Sequence, residues 1–225
     1  MIADYKKQIY VAQLKKSVSV LEQGFRKAMA EDGVNYLANT ELFQSIVVNP
    51  YDLGNTGYDE PEFNNKLKKY FNVVNISGDS YPTFKFLDGT EESYYWGQIH
   101  FSDGVILFGF SLYNGYTVSS DVCKSIKILG GNMCQIQGKF FLDVNGYKKP
   151  NIVGRDIFYM YLSEDGHIYP YAGKDVAVLH NRTDLSTNSS YWKNGNNYYN
   201  CEDNGNSMGW GCAARILEDG WIMDY

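Results

Sequence analysis

The fold is decided by residues 4–31, DYKKQIYVAQLKKSVSVLEQGFRKAMAE, which form the only long helical pattern in the sequence. Apolar side chains recur there in steps of three and four, and mostly lysine, glutamine and glutamate lie between them. Because this period matches the α-helix, it predicts an amphipathic helix of about seven turns with one face to bury. Glycine readily takes the left-handed conformation of a helix end, so Asp32-Gly33 is the predicted stop. The apolar stripe comprises Val11, Leu14, Val18, Leu21, Phe25 and either Ala28 or Met29.

The rest of the chain is typical of short strands joined by tight turns. Three Asp-Gly steps each separate two apolar or alternating runs, and Asp-Gly readily adopts the positive φ angles of a tight reversal. Residues 62–70 are predicted to form a short helix, and residues 172–211, rich in Asn, Ser, Gly and Tyr, a long loop. The predicted antiparallel hairpins pair residues 98–102 with 105–108, 158–162 with 167–169, and 213–217 with 221–223.

These elements predict an α+β fold in which the long N-terminal amphipathic helix packs on an antiparallel β-sheet. We expect a single domain, with residues 1–33 supplying the helix and residues 34–225 a β-rich head. The formal net charge of −6 argues against nucleic acid as a partner, because neutralising phosphates requires a basic face. Residues 1–10 are polar and do not resemble a signal peptide. The chain nevertheless begins inside a helical pattern, which predicts that a natural N-terminal segment precedes it.

The four cysteines form two equally spaced pairs, Cys123 with Cys134 and Cys201 with Cys212. Neither pair has the C-x-x-C spacing of a zinc or thiol-redox site, and no histidine flanks them at ligand spacing. Each pair can close a short loop, so two local disulfides are predicted, with buried free thiols as the alternative. Disulfides are stable in oxidising compartments, so the prediction places the protein outside the cytoplasm.

Three stretches resemble the type IV pilins and the pseudopilins of type II secretion. Residues 2–7, IADYKK, are similar to the segment where the pilin helix leaves the membrane. The runs FLDVNG (141–146), KPN (149–151) and GRDIF (154–158) resemble a segment common in pilin-like proteins with a prepilin N-terminus. The runs CAARI (212–216) and GWIMDY (220–225) are similar to the closing hairpin of this group. The resemblance covers residues 1–31 and 138–225, and the middle of the chain does not match.

The resemblance implies a non-enzymatic, exported structural subunit that assembles with other pilin subunits into an extracellular filament. Leu14, Val18, Leu21 and Phe25 then belong to the assembly helix. The family's prepilin cleavage site and the apolar helix that anchors the precursor in the inner membrane are not in this sequence. If the resemblance holds, we expect an anchor directly before Ile2. A pilus, a secretion pseudopilus and a DNA-uptake filament are equally compatible with these residues.

One turn carries a candidate calcium site formed by Asp143, Asn145 and Asp156. Calcium prefers carboxylate and amide oxygens offered by a loop, and some pseudopilins bind calcium beside the sheet. The spacing matches only the first half of an EF-hand-like loop and lacks the bidentate glutamate. The alternative is an ordinary turn in which Asp156 acts as a cap or pairs with Arg155.

The sequence contains no recognisable catalytic motif around His100, His167 or His180. We therefore expect no enzyme activity, and a secreted hydrolase is the least favoured functional hypothesis. The segment 191–199, YWKNGNNYY, can stack aromatic rings on sugars and hydrogen-bond hydroxyl groups, or else pack against the sheet or a neighbouring subunit. The alternative function is thus a secreted carbohydrate-binding or adhesive β-domain. Its candidate ligand residues are Tyr191, Trp192, Tyr198 and Tyr199.

Overall fold

The computed structural model describes residues 2–45, 61–93, 97–117, 135–171, 200–201 and 207–225. Its first element is the helix α1, Ile2–Asp32, which confirms the predicted N-terminal helix. Gly33 adopts a φ of 65°, and the N–H groups of Gly33 and Val34 donate to the carbonyls of Ala30 and Met29. These two bonds close the last turn of α1 through a left-handed glycine, as the sequence predicts.

The body of the protein is an antiparallel sheet. Its elements are β1 Val73–Ser77, β2 Phe84–Lys85, β3 Glu91–Glu92, β4 Gln98–Phe101, β5 Ile106–Thr117, β6 Gln135–Asp143, β7 Ile157–Ser163 and β8 Ile168–Pro170. Six strands form one sheet in the order β1-β4-β5-β6-β7-β8, and β2 pairs with β3 in a separate ribbon. Sequence neighbours mostly pair with each other, which is the topology that hairpin signals favour.

The first two predicted hairpins are confirmed. β4 pairs with β5 across a turn in which Gly104 has a φ of 89°, and β7 pairs with β8 across a turn in which Gly166 has a φ of 80°. The predicted short helix is also present, as α3, Pro61–Tyr70, after a single-turn helix α2, Glu41–Gln44. Of the helices in the described ranges, none combines the length and hydropathy needed to cross a membrane.

The third predicted hairpin is wrong, because Cys212–Glu218 forms an α-helix, α4. Alanine, arginine and leucine, which make up most of this segment, have high helix propensity. The Asp-Gly step that suggested a β-turn ends the helix instead. The N–H of Gly220 donates to the Leu217 carbonyl and the N–H of Trp221 to the Ile216 carbonyl. This is a Schellman ending, and both donor residues have positive φ angles, 77° and 67°.

The apolar stripe of α1 lies on one face of the sheet. Leu14, Leu21 and Phe25 are buried, and Val18 is half-buried at the margin of the same cluster. Because side chains alternate along a strand, every second residue of the central strands faces α1. These facing residues are Leu107, Phe140, Leu142, Phe158, Met160 and Leu162.

The opposite face of the sheet is buried as well. The intervening residues of the same strands belong to a second, largely aromatic cluster. Ring centroids are 5.3 Å apart from Phe108 to Phe141 and 4.5 Å apart from Phe141 to Tyr159, in stacked arrangements. Every residue of β7 is consequently buried. The sheet is therefore a middle layer, covered by α1 on one side and by aromatic side chains on the other.

Replacing Leu21 with alanine should lower the free energy of unfolding by about 2–4 kcal/mol, because the lost methyl groups leave a cavity against the sheet. The matched control is Val20→Ala, one position earlier on α1, where the side chain is 44% exposed. That control should cost less than about 1 kcal/mol. Urea denaturation followed by circular dichroism measures both values. Equal losses for the two variants would contradict the burial of Leu21.

Candidate functional site

The three predicted oxygen ligands converge at one end of the sheet. Asp143 ends β6, Asn145 lies in the turn that follows, and Asp156 immediately precedes β7. Asp143 and Asp156 are both 0% exposed. A buried carboxylate is costly unless hydrogen bonds or a cation compensate its charge. The partners of each carboxylate therefore determine what this cluster can do.

Asp143 is held by a buried phenol and by the turn that follows it. The Tyr81 hydroxyl donates to Asp143 Oδ2, and the backbone N–H of Asn145 donates to Oδ1 over 3.1 Å. Tyr81 is fixed in turn by stacking on Phe108, with ring centroids 3.7 Å apart. Burial raises the pKa of Asp143 to about 8, although its hydrogen bonds to Tyr81 and Asn145 favour the ionised form.

Asp156 closes the loop that leads into β7. Its carboxylate accepts the backbone N–H groups of Asn151 and Ile152, over 2.9 and 2.8 Å. Burial raises its pKa, and these backbone donors oppose the shift. The guanidinium of the neighbouring residue, Arg155, donates to the Tyr225 carbonyl over 2.7 Å. Asp156 thus acts as a cap on its own loop.

Asn145 joins this cluster to the N-terminal helix. Its side chain lies beside Asp156 and beside the phenol of Tyr10 on α1, and it acts to lower the pKa of both groups. The pKa of Tyr10 is raised, chiefly by burial and then by the negative charge of Asp156. The sequence motif that contains Asp143 and Asn145 does not indicate this contact, because Tyr10 lies far away in the chain and outside the predicted apolar stripe.

Two amide oxygens of the cluster are candidates for cation ligands. Asn145 Oδ1 and Asn151 Oδ1 are buried and accept no hydrogen bond. Asp156 lies beside the side chain of Asn145 and accepts the backbone N–H of Asn151. Amide and carboxylate oxygens are the donors that calcium prefers. The described residues contain no group of three or more acidic, histidine or cysteine side chains that could hold a metal ion. The donor set is therefore two carboxylates and two amide oxygens, which fits calcium better than zinc.

The predicted bridge between Cys201 and Cys212 is present, with Cα atoms 4.8 Å apart. Arg215 of α4 donates to the Cys201 carbonyl over 2.7 Å. The Tyr225 hydroxyl donates to the Gly154 carbonyl, also over 2.7 Å. The disulfide, α4 and the final residue are thereby fastened to the loop that Asp156 caps.

The first turns of α1 are less buried than the rest of the helix. No side chain of residues 4–10 is fully buried, and Tyr5 is 65% exposed. Val11 is the first buried residue of the stripe within the described side chains, although Tyr10 also packs against the core cluster. The first turns therefore keep part of their side-chain surface accessible.

Within the described residues, His100 and His167 form no catalytic arrangement with a serine or cysteine. His100 packs against the Tyr147 ring, with centroids 5.6 Å apart, and His167 lies between Glu22 and Arg26 of α1. Several predicted residues lie outside the described residues: Cys123, Cys134, His180, Tyr191, Trp192, Tyr198 and Tyr199.

No family model, curated protein or solved structure matches this chain at a significant level.

Replacing Gly154 with alanine should destabilise the protein more than replacing Gly89. Both glycines have nearly the same left-handed conformation, with φ angles of 87° and 85°. A Cβ atom at Gly154 would lie 2.6 Å from the Cys212 Sγ atom, whereas at Gly89 it would meet nothing within 4 Å. Each variant should lose about 1–2 kcal/mol through backbone strain, and Gly154→Ala a further ~1–3 kcal/mol through overpacking. Urea denaturation gives both losses, and equal values would contradict the close packing of Gly154 on the disulfide.

Proposed function

We propose that this chain is a pilin-like structural subunit, exported from the cell and assembled into an extracellular filament through its N-terminal helix. The observation that carries the proposal is the uneven burial of α1. Its stripe is buried on the sheet from Val11 onward, while the side chains of residues 4–10 are half-buried or exposed. A helix whose first turns keep accessible side chains can contribute them to a shared bundle of helices.

Two further features support this function. The disulfide between Cys201 and Cys212 is typical of exported proteins. The runs FLDVNG and GRDIF, which carry the sequence resemblance, supply the carboxylates and the amide of the cluster that lies beside Tyr10 of α1. The proposed role is structural and involves no catalytic step. Partners are other subunits of the same filament and, through an anchor preceding Ile2, the inner membrane.

Cross-linking in the organism of origin tests assembly. A Tyr5→Cys variant of the natural full-length protein should give disulfide-linked multimers in the sheared cell-surface fraction. The reason is that the side chain of residue 5 is exposed on the first turns of α1. The matched control is Val74→Cys, which is equally exposed at 65% but lies on β1. It should give clearly fewer multimers. Both variants must retain the wild-type melting temperature.

A protein that stays monomeric outside the cell, with no cross-linking at either position, would contradict the filament proposal. Binding of that monomer to a glycan array would instead support the alternative, a secreted carbohydrate-binding or adhesive domain. Electron microscopy of the sheared fraction, compared with secretion and DNA-uptake assays of a deletion strain, separates the three kinds of filament.

We propose calcium binding by the cluster at the end of β6 as a second function. The supporting observation is that Asn145 Oδ1 and Asn151 Oδ1 are buried beside Asp156 without a hydrogen-bond donor. These two oxygens and the carboxylates of Asp143 and Asp156 would hold the ion. Its charge would compensate the two buried carboxylates, whose pKa values burial raises. The cluster would then fix the turn between β6 and β7.

Calcium at a hundredfold excess over its Kd should stabilise the fold by about 2.7 kcal/mol, which raises the melting temperature by about 5–10 °C. The gain should increase as the pH rises through about 8, because binding requires an ionised Asp143. Asp143→Ala should abolish the gain, and Asn145→Asp should enlarge it by adding a carboxylate. Asp88→Ala, which removes a turn carboxylate elsewhere, is the control and should leave the gain unchanged. A melting temperature indifferent to calcium and to chelator would leave the cluster as a hydrogen-bonded turn.

A further inference from the structure

A basic groove lies beside the N-terminal turns of α1. Its lining includes Lys6, Lys7 and Tyr10 from α1, and Lys149 and Arg155 from the connection between β6 and β7. The cavity measures about 290 Å³, and its lining contains four cationic side chains and no carboxylate. In a chain with a net charge of −6, the groove is a local reversal of sign.

The lysines of the groove lack the acidic partners that several other helix lysines have. Lys16, Lys66 and Lys69 pair with Asp103, Glu62 and Glu31 over 2.9, 2.9 and 2.7 Å. By contrast, the three groove lysines form no ion pair with any residue that the structure describes. Their ammonium groups are therefore available to an anionic ligand.

Exposed apolar side chains flank the same end of the molecule. Tyr5 is 65% exposed, and Ile222 is 56% exposed in a neighbouring groove that Lys7 also lines. Basic side chains beside exposed aromatic and aliphatic tips are typical of surfaces that lie in the headgroup region of a bilayer. A free phosphate ion would use the lysines but would leave the two apolar tips in water.

We propose that this end of the protein binds the phosphate headgroups of anionic phospholipids in a bilayer. Lys6, Lys7 and Lys149 contact the phosphates, and Tyr5 and Ile222 enter the headgroup layer. Attraction of this kind acts within a Debye length of the membrane, so it needs a groove on the outermost part of the molecule. The proposal does not rest on filament assembly, because the whole surface belongs to one copy of the chain.

Vesicle co-sedimentation of the 225-residue chain tests the proposal. The protein should sediment with vesicles of equal parts phosphatidylglycerol and phosphatidylcholine at low salt, and not with phosphatidylcholine alone. Lys6→Gln combined with Lys149→Gln should weaken binding roughly 25-fold, from about fivefold per lysine near an anionic surface. The matched control, Lys27→Gln combined with Lys68→Gln, removes the same charge from the last turns of α1 and α3, outside the groove lining, and should change binding less than about twofold. Ile222→Ser should weaken binding without changing charge.

The melting temperature of each variant should match the wild type, so that loss of binding reports the surface and not the fold. Three results would overturn the proposal: no sedimentation with the anionic vesicles, equal losses for the two lysine pairs, or full retention of binding in Ile222→Ser. Complete competition by millimolar glycerol phosphate would reassign the groove to a small soluble anion. Salt-sensitive self-association that the Lys6 and Lys149 substitutions remove, without any vesicle binding, would reassign it to a second copy of the chain.

Discussion

The rest of the structure depends on the packing of α1 against one face of the sheet. Leu14, Leu21 and Phe25 bury apolar surface, which contributes about 25 cal/mol for each Å² removed from water. Because side chains alternate along a strand, fixing which residues face α1 also fixes which residues face away. Phe108 and Phe141 are consequently placed on the far face, where they stack in the aromatic cluster. A register shift of one residue in β6 would exchange the two sets and leave α1 against mismatched side chains.

The carboxylate cluster secures the end of this arrangement at a cost in desolvation. Asp143 and Asp156 are buried, and both pKa values are raised because burial disfavours the charged form. Their hydrogen bonds nevertheless fix the turn after β6 and the loop before β7. Asn145 lies beside Tyr10, so the turn of the cluster also contacts α1. Apolar packing alone does not fix the position of the helix along its stripe, whereas directional bonds do, such as the one that the N–H of Ile168 donates to Glu22 of α1 over 3.0 Å.

The sequence predicts the local elements of this fold better than the contacts between them. The period of residues 4–31 is sufficient for α1, and the Asp-Gly steps are sufficient for the hairpins β4–β5 and β7–β8. The same dipeptide misleads at Asp219-Gly220, because a positive φ serves a helix end as well as a β-turn. Local pattern identifies Asp143, Asn145 and Asp156, but not Tyr81 or Tyr10, whose proximity arises only when the chain folds. The sequence pattern does not indicate the basic groove for the same reason, because its lysines come from two distant segments.

The basic groove and the carboxylate cluster are coupled through shared residues. Tyr10 lines the groove and lies beside Asn145 of the cluster, and Arg155 lines the groove next to Asp156 in the chain. Negative charge on Asp143 and Asp156 weakens the positive potential of the groove, because a buried charge is poorly screened. Neutralising these carboxylates, by protons or by calcium, strengthens that potential. By thermodynamic linkage, an anionic surface on the groove would in turn favour the neutralised cluster. The end of the molecule where α1 leaves the body is therefore one electrostatic unit.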